Sequence, residues 1–271
     1  MRRQYVVLFL PFLLLLVTAC SNSHISAYRK LEGFGDLENF RVDAAYDKAV
    51  SDTRAQTIFA LRKASQEIHI YRGGSLINSV GGLGFERTNF QRLSDIGVDT
   101  DGGLLALDSA QKILRKFSPE GGVIADVQFT ALRQPELFCQ SGDGTLFIYD
   151  ASSSELVCYS QLDNSELYRF GRFELEQPAS IACNRDYLYA YSAVKDCTYV
   201  FFLLGQYKET LPGQVVFDNF NNPIRVQDVV PAYASAPPKL MQISDDSLVL
   251  LQSNEIRLLR LIYARGSDAA Q

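Results

Sequence analysis

The chain has 271 residues, a formal charge of −5, 47% apolar residues and no tryptophan. About 250 residues remain once a leader is removed, which suits one large domain or two small ones with ample material for a core. The acidic balance falls to about −7 when Arg2 and Arg3 are lost, and the remaining basic residues are scattered, which argues against nucleic acid or an anionic lipid surface as a partner.

The chain opens with Met1-Arg2-Arg3 and continues from Tyr5 to Val17 as an almost unbroken apolar run. Thirteen or so residues make roughly 20 Å of helix, whereas a bilayer core asks for about twenty residues. Pro11 also weakens a continuous helix. This is the build of a cleaved signal peptide over residues 1–19. It ends Leu16-Val17-Thr18-Ala19-Cys20, small residues followed at once by cysteine, and here it resembles the lipobox of bacterial lipoproteins. The resemblance implies cleavage before Cys20 and diacylation of its thiol with palmitate-type chains. Several acyl chains hold firmly where one is marginal. Residues 20–27, with Ser21, Asn22, Ser23 and Ser26, then read as a lipidated polar tether. Ser21 resembles an outer-membrane sorting signal, so the expected address is the periplasmic side of an outer membrane, or the exterior of the cell membrane where there is only one. An ordinary secretory signal with Cys20 incidental, or a retained membrane anchor, stand as alternatives.

Periodicity sets the fold class over residues 28–265. From Ile96 the chain reads Gly97-Val98-Asp99-Thr100-Asp101-Gly102-Gly103, then Leu104-Leu105-Ala106-Leu107-Asp108, then a turn and Ile113-Leu114-Arg115-Lys116-Phe117. Apolar runs this short, separated by Gly, Asp, Ser and Pro clusters, are strands joined by hairpins. The stretch from Ile96 to Gly122 resembles an NHL repeat, although Leu93-Ser94-Asp95 stands where that family has a leading proline. Related units follow: Asp150 comes forty-two residues after Asp108, and Ser192 forty-two after Asp150. Thr57–Arg62 precedes them and Ser247–Gln252 comes last, with Pro135 and Pro178 at strand-leading positions. Repeats of this period predict an all-β propeller, because one four-stranded sheet cannot cover both its faces. Five units are visible; the resemblance implies six blades, and both numbers stay open. A proline-rich stretch, 212–238, reads as an insertion or a long loop hairpin, Ile25–Phe34 as the strand that closes the ring against Ile256–Ile262, and 266–271 as a frayed tail.

The chemistry-bearing residues are few. Cys139, Cys158, Cys183 and Cys197 each sit in or beside an apolar run and read as buried free thiols, with a disulfide as the alternative that an exported compartment permits. No Cys-x-x-Cys pair suggests zinc. Asp99-Thr100-Asp101-Gly102 lacks the downstream ligands of a calcium loop and reads as a β-turn. Asp108, Asp150 and Ser192 recur once per unit and are expected to cap local turns, with a shared role at the central channel as the rival reading. Only His24 and His69 are available for a catalytic triad, one in the tether and one in a strand. Gly73-Gly74 and Gly81-Gly82-Leu83-Gly84 lack the lysine of a phosphate loop and read as hairpin turns. Tyr187, Tyr189, Tyr191, Tyr199, Phe201 and Phe202 make one aromatic-rich unit, mostly core, with any exposed members available to a partner. With no cofactor motif and no catalytic constellation, the sequence leads to a non-enzymatic, membrane-tethered scaffold that binds an envelope protein. The alternative is a small-molecule or carbohydrate-binding propeller, including a metal-dependent lactonase- or lyase-like enzyme at the channel mouth.

Overall fold

A computed structural model describes residues 29–264, apart from 53, 55, 85, 161–163, 231–238, 245–246 and 253. The signal region, Cys20, the tether up to residue 28 and the tail 266–271 lie outside the described residues.

The first strand, β1 (Leu31–Arg41), belongs to the last blade. The first blade is β2 (Lys48–Asp52), β3 (Thr57–Arg62), β4 (Glu67–Arg72) and β5 (Ser75–Gly81). The second is β6 (Leu93–Val98), β7 (Leu104–Asp108), β8 (Ile113–Phe117) and β9 (Val123–Gln128). The third is β10 (Pro135–Gln140), β11 (Leu146–Asp150), β12 (Glu155–Tyr159) and β13 (Glu166–Phe170). The fourth is β14 (Ser180–Cys183), β15 (Tyr187–Ser192), β16 (Cys197–Phe202) and β17 (Tyr207–Pro212). A short hairpin follows, β18 (Val215–Phe217) and β19 (Pro223–Arg225), with a single helical turn, α1 (Val226–Val229). The fifth blade is β20 (Lys239–Ser244), β21 (Ser247–Gln252) and β22 (Glu255–Tyr263), completed by β1. Each blade is an antiparallel meander, and the ring is a five-bladed propeller; the sixth blade that the repeat resemblance implies is not formed.

Inner strands touch around the axis, β2 against β6 and β20, and β10 against β6 and β14. An apolar core fills each space between blades. Val50, Phe59 and Ile70 meet Ile96, Leu104 and Phe117 between the first and second blades. Leu105, Leu107 and Phe129 meet Phe138, Ile148 and Val157 between the second and third. Leu137, Phe147 and Cys158 meet Ile181, Leu188 and Phe201 between the third and fourth. This is why β7 and β11 are buried at every residue: both faces of a blade are covered. Burial of each such side chain contributes about 1.5–3 kcal/mol. The hairpin β18–β19 acts as a wedge between the fourth and fifth blades, its Val215, Phe217 and Ile224 meeting Tyr189 and Val200 on one side and Leu248 and Leu259 on the other.

Ring closure comes from β1, which pairs with β22 from Leu31 opposite Tyr263 to Arg41 opposite Glu255. It starts six residues later than the expected Ile25 and runs well past Phe34, because the nine-residue β22 offers a partner along its whole length. Residues 25–28 lie outside the described residues.

Asp108 and Asp150 explain the repeat spacing. The fully buried Asp108 carboxylate accepts N–H bonds from Gln91 and Arg92, ahead of its own blade, and from Ala110 and Gln111 in the turn that follows. Asp150 does the same with Arg133, Gln134 and Ser152. Ser192 holds the matching position with a longer contact from the Lys195 amide at 3.4 Å. All three lie at the end of a blade's second strand, away from the channel mouth. Their role is local, and they form no shared ligand set. Burial pushes the Asp150 carboxyl up, but its N–H and hydroxyl partners outweigh burial and hold it below its ordinary value of 3.8.

Removing four acceptor contacts at once makes Asp108→Ala costly, by about 3 kcal/mol in urea unfolding, with an exposed substitution such as Phe173→Ser near zero. A group depressed in the folded state stabilises above its unfolded pKa and loses that contribution as pH falls through the folded value. The urea midpoint is therefore expected to hold above pH 5 and to fall below about pH 4, with a shallower fall in Asp150→Asn.

Candidate functional site at the channel mouth

Every inner strand points its C-terminal end to one face of the ring. The residues just past those ends, with the loop between β18 and β19, line an open cavity of about 900 Å³. The first blade supplies Asp52 and Arg54, the second Asp99 and Thr100, the third Gln140, Ser141 and Asp143, and the fourth Cys183, Asn184 and Arg185. Asn219 and Phe220 come from the β18–β19 loop, and Leu203 and Ile243 add apolar patches. The volume falls in the range of small-molecule sites. Below it, between Lys48, Val98, Phe138, Cys139 and Ala182, the axis narrows to a space of about 20 Å³. That is room for one or two waters.

Local chemistry shapes each part of the wall. Asp99 accepts from the Thr100 amide at 2.7 Å and pairs with Lys116, which also reaches Asp101 at 3.3 Å. Burial raises the Asp99 carboxyl, but the Lys116 and Thr100 hydrogen bonds prevail and its net shift is downward. The hydrogen bond to Asp99 in turn lifts Lys116 above its ordinary range, against a smaller burial effect. Asp143 accepts from the Ser141 hydroxyl at 2.5 Å and the Thr145 amide at 3.1 Å, and the hydroxyl contact leads in holding it low. Both carboxylates are ionised at neutral pH. Arg54 donates to the Thr100 carbonyl at 2.5 Å, which bridges the first two blades. Gly102, with φ of +84°, closes the β6–β7 turn where any Cβ would run into the Asp52 carboxylate. The turn reading of Asp99–Gly102 holds, with the Gly102 amide 2.8 Å from the Asp99 carbonyl.

The fourth blade's corner is built by Asn184. Its amide nitrogen donates to the Asp218 carbonyl at 2.7 Å and to Asn221 at 2.9 Å, while its oxygen accepts from the Asp186 and Tyr187 amides. It joins the β14–β15 turn to the β18–β19 loop and leaves its neighbour Arg185 exposed at the mouth, without an ion pair among the described residues.

Under the mouth, Asp95 is 2% exposed and ties three blades together. It sits on β6, pairs with Lys48 of β2 at 2.7 Å, and accepts from the Phe138 amide of β10 at 3.0 Å. Beside it the Cys139 thiol is hydrogen-bonded to Cys183 of the next blade, and burial first, then that contact, pushes it well up. Cys139, Cys158, Cys183 and Cys197 are free thiols here.

His69 lies elsewhere, on β4 near the interface of the first and fifth blades, its Nδ1 2.6 Å from the Tyr46 hydroxyl. Burial pushes its imidazole down, ahead of an opposing effect from Glu67. It does not line the mouth, and His24 lies outside the described residues. Among the described residues no three of His, Cys, Asp and Glu are grouped to hold a metal. Of the aromatic unit, Tyr189 and Phe201 are buried, Tyr187 and Tyr199 are half-buried, and Phe202 is exposed. Arg54, Asp143, Asn184, Arg185 and Phe220 were not singled out in the sequence. The repeat itself carried the signal: Asp99, Ser141 and Asn184, forty-two and forty-three residues apart, all follow an inner strand.

No family model matches the sequence and no characterised protein matches it as a relative, so the NHL resemblance has no further support. Solved structures do share the fold. The chain is similar to virginiamycin B lyase from Staphylococcus aureus, with a TM-score of 0.54 and 10% identity over 84% of this chain and 100% of that one. A streptogramin B lyase gives a TM-score of 0.54 and 12% identity over 84% and 98%. A catalytically inactive histidine-to-alanine variant of the Staphylococcus aureus lyase with quinupristin gives 0.50 and 10% over 76% and 77%. At these identities the likeness is one of fold. It nonetheless corrects the expectation of a non-enzymatic chain, which rested on finding no catalytic constellation in the sequence: propellers of this shape include lyases.

Asp95→Ala strands Lys48 and the Phe138 amide below the mouth and is expected to cost about 3–5 kcal/mol of stability. The pair exchanged for apolar residues, Lys48→Met with Asp95→Leu, should recover a good part of that loss in chemical denaturation.

Proposed function

We propose that the mouth binds a small, hydroxyl-rich polar ligand of the saccharide type, on an exported propeller held to a membrane by a lipid on Cys20. The convergence of polar side chains from four blades and the β18–β19 loop on one open cavity carries this reading. Ionised Asp99 and Asp143 accept hydrogen bonds, Arg185 donates them, and Phe220 with Leu203 offers an apolar face to a sugar ring. The lipid anchor rests on the signal and lipobox pattern ending at Cys20, and NHL-type repeats remain the reading of the blade sequence. The scaffold role expected from the sequence draws no support from the fold or its likenesses, and the mouth favours a ligand.

Lyase-type chemistry at the same mouth is the second reading, favoured by the likeness to the streptogramin and virginiamycin B lyases. A lyase needs a base to take a proton, and bases work best with pKa values near the operating pH. Asp99 and Asp143 are held low, so on this wall they serve better as acceptors than as bases.

Calorimetric titration of the full lipoprotein with soluble cell-wall saccharides tests the binding. Arg185→Ala is expected to weaken association by at least about tenfold, the loss of one charge-assisted contact, while Arg172→Ala on the opposite face changes nothing. Undiminished affinity in Arg185→Ala, or no heat with any saccharide, would overturn it. Quinupristin incubated with the protein tests the second reading: an altered chromatographic product supports it and unchanged compound removes it. Cys20→Ala tests the anchor and should move the protein from the membrane fraction to the soluble one.

A further inference from the structure

The third strand of a blade runs in the same direction as its inner strand, with the second strand between them, so the turn after it lies at the mouth end of the ring. Near that turn every blade exposes a large apolar side chain: Leu76, Ile124 and Leu167 at the second residue of a fourth strand, Leu204 in the turn itself, and Ile262 near the end of β22, where it meets β1. They are 45–77% exposed, with Leu204 at the upper end and Ile262 at the lower. The opposite end carries Leu83 and Phe173, in the loops after the fourth strands of the first and third blades, and Val194 in the β15–β16 turn, so among the described residues it exposes such side chains from only part of the ring. One exposed apolar residue per blade at this end makes a ring around the polar mouth.

The chain also leaves the described fold on this face. The Arg29 carbonyl accepts from the Asn222 amide at 2.8 Å, and the Arg29 guanidinium lies 5.6 Å from the centre of the Phe220 ring that lines the mouth. From Cys20 to Arg29 is nine residue steps, at most about 30 Å of chain. The outer edge, β1, is 11 residues long, about 33 Å from the mouth face to the other. A lipid on Cys20 therefore reaches a surface facing the mouth with ease and one on the far side only at full stretch.

We infer that the mouth face docks on the membrane, the apolar rim seated at the headgroup level and the polar mouth open toward the bilayer surface. This rests on the lipid anchor proposed above. Among the described residues no helix is long and apolar enough to cross a membrane. Amphipathic surfaces bind interfaces through apolar area together with charge. Asp101 and Glu120, 81% and 70% exposed at the same end, face Lys116 and Arg72, so the rim presents charges of both signs and suits a zwitterionic surface.

The chain has no tryptophan, which makes a single introduced one a clean reporter. The full lipoprotein carrying Ile124→Trp, Leu204→Trp or, on the far face, Phe173→Trp is placed on vesicles of phosphatidylcholine and phosphatidylethanolamine brominated near the acyl carbonyl. Flotation reads the anchor and fluorescence reads the docking. The expected result is co-flotation with roughly twofold quenching at 124 and 204 and none at 173, weakened as phosphatidylglycerol replaces the zwitterionic lipids. Co-flotation without quenching at 124 and 204, or with equal quenching at 173, overturns the docking and leaves the anchor standing. Failure to float removes the anchor and the docking with it. Hydrogen exchange on the unsubstituted lipoprotein gives the same decision if a variant misfolds: vesicles should slow the turns at 73–77 and 203–206 and not those at 171–174.

Discussion

The ring depends on one buried carboxylate. Hydrogen-bonded ladders run within each sheet and stop at its edges, so the blades are joined mainly by apolar contact, which has no direction of its own, and by a few polar contacts. Asp95 supplies the direction. It fixes Lys48 of the first blade and the Phe138 amide of the third around its own strand in the second, 2% exposed and just under the mouth. A pair of this kind contributes little net stability compared with apolar replacements, because desolvation offsets attraction. Its consequence is geometric: three inner strands are held in one register, and the residues beyond their ends are delivered to one cavity.

The mouth inherits that order. On the side of the first three blades, Arg54 bridges the β2–β3 and β6–β7 turns through the Thr100 carbonyl. On the other side, Asn184 holds the β14–β15 turn to the loop of the wedge hairpin. The Cys139–Cys183 contact joins the third and fourth blades at the same depth as Asp95. The wedge matters because β14 and β20 do not meet as the other inner strands do; Val215, Phe217 and Ile224 fill that space and carry Asn219 and Phe220 to the cavity. The polar interior, the apolar rim and the exit of the chain at Arg29 all share one face.

Much of the fold was legible because its period is written in the strongest local signals. The Asp108–Asp150–Ser192 spacing marks the same capped turn three times, and Pro135 begins β10 where the unit begins. Blade number was harder. The hairpin read in 212–238 is made of apolar β-compatible residues like those of a blade, and pairing in space shows that Val215–Arg225 stays two-stranded and forms no sixth unit. Closure was placed in the right region and with the right partner, but its register depends on β22, more than two hundred residues away in sequence. The site was the least legible part. Arg54, Asn184 and Arg185 are ordinary loop residues one blade at a time, and they gain meaning only when the ring brings them together. Likewise, the absence of a triad in the sequence led to a non-enzymatic expectation that a propeller fold shared with lyases does not sustain.

The amide of Phe138 tests the central claim directly. It lies on an inner edge strand, where an N–H facing the channel has no neighbouring strand to pair with, and it is held by Asp95 alone. Native-state hydrogen exchange should find it protected to the level of the sheet-paired Phe147 and Ile148 amides, with that protection lost in Asp95→Ala. Exchange at the rate of an open loop such as Arg185 would contradict the account, because the three inner strands would then have no common clasp.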